Sequence, residues 1–385
     1  MTSTGGATAL YQVGFGDEGT PPTDAQLCAV RERASAAWEA YRHSKDGGSA
    51  KDGGSACERV SWVDGQRYTS AEQQNFNPRK QDFDTDGFIC LRGFAPPVQC
   101  ASMTARAGEL AESWDPRAAL VGFNTRMGEQ EEAQGSSDYF LDSSDQVHFF
   151  AETGAIDTAG RLMPGLPKAR ALNKIGHGLH LCDTTFRTYS QSPKVGGLLR
   201  SLGWLDPVLP QSMYIFKQPH IGGESTSHQD SGFLYTTPRQ TCVGLWLALH
   251  DATIANGCLW LRPGSHKEQL RRQFRRNPDH FAAKAAGLST DELPQMIFKE
   301  ITAPDGGAVA AAAWDGSLPE GSEWPCEGLF AQGFLPVECQ AGDLLCFAGT
   351  LDHLSLPNHS AEARHTFQLH AIEGPHAGCA HTSGV

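Results

Sequence analysis

Five short runs in the second half of the chain, SMYIFKQP, CVGLWLALHDA, CLWLRPGS, GDLLCFAG and RHTFQLHAIE, limit the fold most. Each is apolar at its centre and bounded by Gly, Pro, Asn or Asp, which is how a strand between turns reads. Apolar residues at helical spacing are concentrated before residue 205 and in 266–300. Helices therefore do not alternate with strands as a parallel βαβ sheet requires. The expected architecture is mainly β with flanking helices, around a double-stranded β-helix core: a cupin-like jelly roll of antiparallel strands.

The segment DFDTDGFICLRGF, residues 82–94, reads as a helix end, a turn at Gly87 and a strand, and PPVQCASMTARAGELAESW after it is an amphipathic helix. A folded domain over 81–385 is expected from there. Residues 1–80 read as an N-terminal extension of unassigned role. It contains LCAVRERASAAWEAYRHS, apolar at helical spacing, and SKDGGSAKDGGSA at 44–56, a tandem KDGGSA repeat too polar and glycine-rich to bury a core.

Composition removes several classes of function. The 385 residues are 39% hydrophobic, enough for a sizeable core. No run of about 18 apolar residues is present, so no membrane span is expected. The start, MTSTGGATALYQVGFGDEG, lacks the basic and apolar regions of a secretory signal, and HTSGV at the C-terminus is unlike a peroxisomal S-K-L address. A cytoplasmic location is expected, with organelle targeting left open. Eleven cysteines without a C-x-x-C pair fit reduced thiols. A formal charge of −13 repels phosphate backbones, and the one dense basic cluster, HKEQLRRQFRRNP at 266–278, reads as a solvated helix face. Nucleic acid is not an expected partner.

Chemistry enters at GGESTSHQDSGFLY, residues 222–235. In extended backbone, residues i and i+2 point the same way, so His228 and Asp230 can reach one ion. Alone, an H-x-D is close to what chance supplies among 15 histidines, and a loop histidine beside a turn aspartate explains it as well. His353, just past the strand GDLLCFAG, changes this. Two histidines and one carboxylate form the facial triad of non-haem Fe(II) oxygenases, with three positions left open. Eleven residues on, Arg364 offers a planar, permanently charged fork suited to a carboxylate such as the distal end of 2-oxoglutarate. Alternation in RHTFQLH puts Arg364, Thr366 and Gln368 on one polar face and His365, Phe367 and Leu369 on a packing face. Trp246 shares its strand face with Gly244 and Ala248, small neighbours that leave room for a ligand.

From Asp82 to Glu373 the chain resembles the phytanoyl-CoA dioxygenase family of Fe(II)/2-oxoglutarate oxygenases. FDTDGFICLRGF, NKIGHGLH, QSMYIFKQPHIGGESTSHQD, LWLALHDATIANGCLWLRPGSH and the His353–Arg364 segment carry the resemblance, in order and spacing. QGSSDYFL, NKIGH and QSMYIFKQPH followed by GGE and HQD are similar to one branch of it. The resemblance implies that His228, Asp230 and His353 ligate iron and that Arg364 with Ser355 binds the far carboxylate of 2-oxoglutarate. Lys174, Met213 and Trp246 fall where that branch lines its co-substrate pocket. Without the family, Lys174 reads as a surface charge, and Met213 and Trp246 as core. His177, His180, His220, His365 and His370 read as hydrogen-bonded core or surface groups, with His177 and His180 toward the cavity mouth. NGCLWLRPGSH reads as scaffolding.

The implied reaction uses Fe(II), 2-oxoglutarate and O2, releases succinate and CO2, and hydroxylates a C–H bond. Related halogenases have a small residue where Asp230 stands, so the aspartate argues for hydroxylation. A small or lipid-like substrate is implied, with a CoA thioester among the candidates, although no basic groove matched to CoA phosphates is visible. Oligomeric state is not readable. Two alternatives stay open on the residues alone: a non-enzymatic jelly roll that binds metal or 2-oxoglutarate as a sensor, and a zinc hydrolase using the same three ligands.

Overall fold

The structure, a computed structural model, describes residues 22–45, 77–118, 122–123, 137–301 apart from 153, 158 and 222, and 326–381. Apart from Lys45, the KDGGSA repeat lies outside the described residues. Strands are β1 (Phe88–Leu91), β2 (Gly122–Phe123), β3 (Val147–Glu152), β4 (Leu172–His177), β5 (Pro207–Ile215), β6 (Ser225–His228), β7 (Thr236–Thr237), β8 (Val243–Ala248), β9 (Leu259–Leu261), β10 (Arg272–Arg276), β11 (Met296–Glu300), β12 (Leu335–Val337), β13 (Leu344–Ala348), β14 (His353–Ser355), β15 (Thr366–Glu373) and β16 (Ala380–His381). The large sheet has the order β1-β13-β8-β15-β5-β4-β3-β2, and a smaller sheet the order β12-β9-β14-β6. All their pairings are antiparallel except β2 with β3. Long crossovers between the two sheets, with neighbours far apart in sequence, make this the jelly roll expected from the strand runs.

The two faces of the large sheet have different partners. Ile175, Tyr214, Leu245, Leu247, Phe367 and Leu369 point outward into a core with Met103 and Ala107 of the helix Pro97–Ser113, Phe186 and Tyr189 of Thr184–Ser190, and Leu198 and Leu199 of Pro193–Ser201. Each such side chain contributes about 1.5–3 kcal/mol on burial. The alternate residues point inward. There Phe88, Cys90, Trp246, Ala248, Leu345 and Phe347 meet Leu259, Trp260, Leu261, Leu335, Leu354 and Leu356 of the small sheet and its flanks. Along β5 the outward Ser212 and Tyr214 are buried while the inward Gln211, Met213 and Ile215 are only half-buried, so solvent reaches the inner wall at this end.

The helix Asp24–Lys45 (α1), within the stretch read as an extension, packs on this second core. Ala34 and Trp38 are buried in it, the Trp38 ring lies 6.0 Å from that of Phe88, and its indole N–H donates to the Pro336 carbonyl. Lys45 and Tyr41 both reach Asp86. The segment 82–94 follows its expected course: a helix Asn77–Asp86 (α2), Gly87 at φ +86°, then β1.

Two local expectations differ. The basic cluster at 266–278 is not a helix face. Arg272–Arg276 form β10, paired with β11; helix is limited to the 3-10 turn Ser265–Lys267 before it and Pro278–Ala285 after it. Lys, Arg, Gln and Glu favour helix intrinsically, but the preference is tenths of a kcal/mol per residue. Here Phe274 pairs across to Phe298, and both rings pack on Phe233. β3 and β4, from the half that reads as helical, extend the large sheet. His353 does follow the strand at GDLLCFAG, β13, and itself begins the next one, β14.

Candidate metal and co-substrate site

β14 lies between β6 and β9, and its register sets His353 directly opposite His228. Asp230 opens the short 3-10 turn Asp230–Gly232 that follows β6. One nitrogen or oxygen from each of the three converges so that all lie within 4.8 Å of one another. Among the described residues no other group of three His, Cys, Asp or Glu side chains does so.

Each histidine is oriented by its far nitrogen. His228 Nδ1 is 2.7 Å from the Thr226 carbonyl and His353 Nδ1 is 3.0 Å from that of Leu351. A carbonyl only accepts, so both Nδ1 atoms carry hydrogen and it is the Nε2 atoms that face the centre. Burial first, then the neighbouring His228, pushes the His353 imidazole down to about 4, which keeps it neutral and able to ligate. Burial alone would raise the Asp230 carboxyl. The surrounding His370 and His353 and hydrogen bonds from His228 and His370 outweigh it and hold Asp230 well below its ordinary range.

The triad is also held from behind. Asp352, fully buried beside His353, takes two 2.8 Å bonds from Arg271, bonds of 3.2 and 3.3 Å from Arg262 and one of 2.6 Å from the Ser227 hydroxyl beside His228. Gln229, between His228 and Asp230, bonds the Thr350 carbonyl and the Arg271 amide. Asp352 and Arg271 thus tie together the backbones that carry all three candidate ligands. Phe347 packs against His353 with ring centres 4.7 Å apart, and its ring fills the space beside Gly244, where a Cβ would come within 2.7 Å of it. That corrects one expectation: the room at Gly244 is taken by Phe347, not left for a ligand.

Ser355 follows His353 on the same face of β14. Its hydroxyl donates to the Gly257 carbonyl at 2.9 Å, and Arg364 Nη1 donates to the same oxygen at 2.8 Å. Gly257 adopts φ +84°, so the turn read as scaffolding presents a fixed carbonyl to both. Arg364 is 2% exposed, and no described carboxylate pairs with it. Burial lowers its guanidinium to about 10, which leaves it charged at neutral pH. Its Nε, the Trp246 Nε1 and the Thr366 Oγ1 are buried without a partner among the described residues, and the Trp246 ring lies 5.2 Å from the guanidinium carbon. A buried cation beside unmatched polar atoms is costly unless an anion with several oxygens joins them. The residues therefore fit a 2-oxoglutarate carboxylate, and the three ligand atoms fit a divalent ion. Thr366 was placed by alternation on the polar face but given no role; its orphaned hydroxyl is the signal for one.

Met213, Gln368 and Trp246 stand side by side across β5, β15 and β8 on the inward face. Lys174 lies on that face too, in the row of Ile215 and Thr366. Its ammonium is 3.1 Å from His177 Nε2, 3.9 Å from the Met213 sulfur and 4.9 Å from the centre of the Phe150 ring. It is no surface charge: burial pushes it well below its ordinary value. His180 and His365 are hydrogen-bonded within the fold, to Ser212 and to the Tyr214 hydroxyl. His370 bonds Asp230 itself, at 3.0 Å. No helix among the described residues is long and apolar enough to cross a membrane.

The family model "Phytanoyl-CoA dioxygenase (PhyH)" matches residues 83–366. Phytanoyl-CoA dioxygenase domain-containing protein 1 of Mus musculus is 38% identical over 292 residues, covering 76% of this chain and 88% of that protein. Phytanoyl-CoA dioxygenase of Arabidopsis thaliana is 34% identical over 297 residues, covering 77% and 88%. Among solved structures, the epimerase SnoN in complex with Fe3+, alpha-ketoglutarate and nogalamycin RO matches at 14% identity and a TM-score of 0.46, covering 81% of this chain and 88% of that one.

Proposed function

Since the chain belongs to the phytanoyl-CoA dioxygenase family and is a 2-oxoglutarate-dependent dioxygenase, we propose that His228, Asp230 and His353 hold its Fe(II), that Arg364 receives the far carboxylate of 2-oxoglutarate, and that the enzyme hydroxylates a small or lipid-like molecule. When bound, Fe(II) with 2-oxoglutarate and O2 supplies the decarboxylation to succinate and CO2 and the oxidising power for a C–H bond.

One observation carries the reading. Arg364, a buried cation that no described carboxylate pairs, is linked through Gly257 to Ser355, which shares a strand face with His353. A dicarboxylate anchored at the arginine would extend along β14 toward the triad. The two Nε2 atoms and the Asp230 oxygen would offer a divalent ion three donors and one negative charge, with its other positions open to the co-substrate and O2. Trp246 and Thr366 would donate the hydrogen bonds that complete the anchor. Lys174 and Met213 would wall the same cavity on the β4 and β5 side. Support for a small or lipid-like substrate is compositional: the half-buried inner wall mixes Met213 and Ile215 with Gln211 and Gln368.

The test is succinate release from 2-oxoglutarate under O2, with Fe(II), across free fatty acids, acyl-CoA thioesters and small polar acids, with product analysis by mass spectrometry. One class should stimulate succinate and gain a single oxygen. Asp230→Ala should lose metal and turnover together. Unchanged metal content and turnover in that variant would sink the triad.

A further inference from the structure

The two oxygens of the Asp230 carboxylate have different neighbours. Oδ1 lies 3.5 Å from His228 Nε2 and 3.7 Å from His353 Nε2, on the side where the ligand atoms converge. Oδ2 lies 3.0 Å from His370 Nε2. On its other side, His370 Nδ1 is 3.2 Å from Gln211 Nε2, and the two residues are direct partners in the β5–β15 ladder. The donors follow from elementary valence. A carboxylate accepts only, so Nε2 carries the hydrogen, and the bare Nδ1 of a neutral ring takes one from the Gln211 amide. The residue read from sequence as an ordinary core histidine thus occupies one oxygen of a candidate ligand.

We propose that His370, oriented by Gln211, is a positioning residue that restricts Asp230 to binding metal through Oδ1 alone. The inference rests on the triad proposed above. A carboxylate free to turn can chelate an ion through both oxygens and so occupy a second coordination position. The oxygenase reading needs three open positions, two for 2-oxoglutarate and one for O2, and a chelating Asp230 would remove one of them. His370 fixes the carboxylate plane from the side opposite the histidine ligands, and Gln211 fixes the His370 tautomer. Both lie on rigid strands, in register, so the restraint does not depend on a loop.

The test uses Co(II) alone as the probe in the otherwise native full chain. Its visible ligand-field bands weaken as coordination number rises, so they report chelation without any turnover. His370→Leu should bind Co(II) roughly 10- to 100-fold more weakly, as loss of an outer-shell partner does, with weaker bands per bound ion. His370→Gln keeps an N–H donor and should recover most of both. Wild-type affinity and bands in His370→Leu overturn the proposal, and so does an affinity loss equal in the two variants with unchanged bands. Should His370→Leu not fold, Gln211→Leu carries the test in the same direction with a smaller change, and wild-type behaviour there overturns it. Asp230→Ala separates the two levels: retained Co(II) binding in that variant defeats the triad itself, whereas its loss beside an unaltered His370→Leu defeats only the role of His370.

Discussion

Replacing Arg364 by methionine should move stability and co-substrate affinity in opposite directions. In the ligand-free protein the guanidinium is buried, its Nε has no partner among the described residues, and burial has lowered its pKa to about 10. At about 1.36 kcal/mol per unit, burial weighs roughly 3 kcal/mol against the charged form. Methionine has a similar length and removes that penalty. The lost bond to the Gly257 carbonyl subtracts about 1 kcal/mol, and the carbonyl keeps the Ser355 hydroxyl, so no acceptor is orphaned. Metal-free Arg364→Met should therefore melt no lower than the wild type, with a gain of up to about 2 kcal/mol. Binding of 2-oxoglutarate goes the other way: a buried carboxylate without its partner costs about 3–5 kcal/mol, a hundredfold to a few thousandfold in affinity. Arg364→Lys keeps a charge but loses the fork, about 1.5–3 kcal/mol or ten- to 150-fold. Anaerobic calorimetric titration of 2-oxoglutarate into Mn(II)-loaded protein, beside thermal melts of the metal-free forms, measures both. A destabilised Arg364→Met that binds 2-oxoglutarate within twofold of wild type would refute the reasoning and make Arg364 a structural residue.

Asp352→Asn should cost about 3–5 kcal/mol, because the largely covered Arg271 loses the buried carboxylate that pairs it; urea denaturation measures it, and a loss below about 1 kcal/mol would show the network to be incidental. Gly244→Ala should cost about 1–3 kcal/mol by overpacking and weaken metal binding, since the added methyl lies where the Phe347 ring supports His353; calorimetry with the wild-type metal affinity retained would dissociate the two. Acid should destabilise the metal-free protein. His353 is held at about 4 and His365 at about 3, chiefly by burial, while both would titrate near 6.5 when unfolded. The unfolded state then binds more protons from about pH 6.5 downward, so stability falls as pH drops through that window toward the folded values. Thermal melts between pH 7 and 4 read the slope, and His365→Gln should reduce it.

What sequence could show here depended on the range over which a signal acts. Strand runs bounded by turn residues are local, and β8, β9, β13 and β15 all form within them, while β5 begins at Pro207, ahead of its run. The alternation in RHTFQLH is local too, and Phe367 and Leu369 do enter the outer core while Thr366 and Gln368 face inward. His228 and Asp230 acquired meaning only with His353, 125 residues from His228 in sequence yet its direct partner across β14 and β6. Partners of that kind were invisible wherever no motif named them. His370, Asp352 and Phe347 are single residues without a pattern around them, and their roles depend on register between strands distant in sequence. The RQFRR segment misled for the opposite reason: its helix-favouring composition is local, and the packing of Phe274 on Phe233 and Phe298 that overrides it is not.

The docking of α1 bears on how the protein stays dispersed. β1 and β12 are end strands of their sheets, and an unpaired strand border with apolar neighbours is a template for another chain to add to. Trp38 spans that border, covering Phe88 on one side and taking the outward Pro336 carbonyl on the other. A chain shortened to the family-matched start at residue 83 would lose this plug. It would keep every candidate ligand and still tend to self-associate, which light scattering at increasing concentration would reveal.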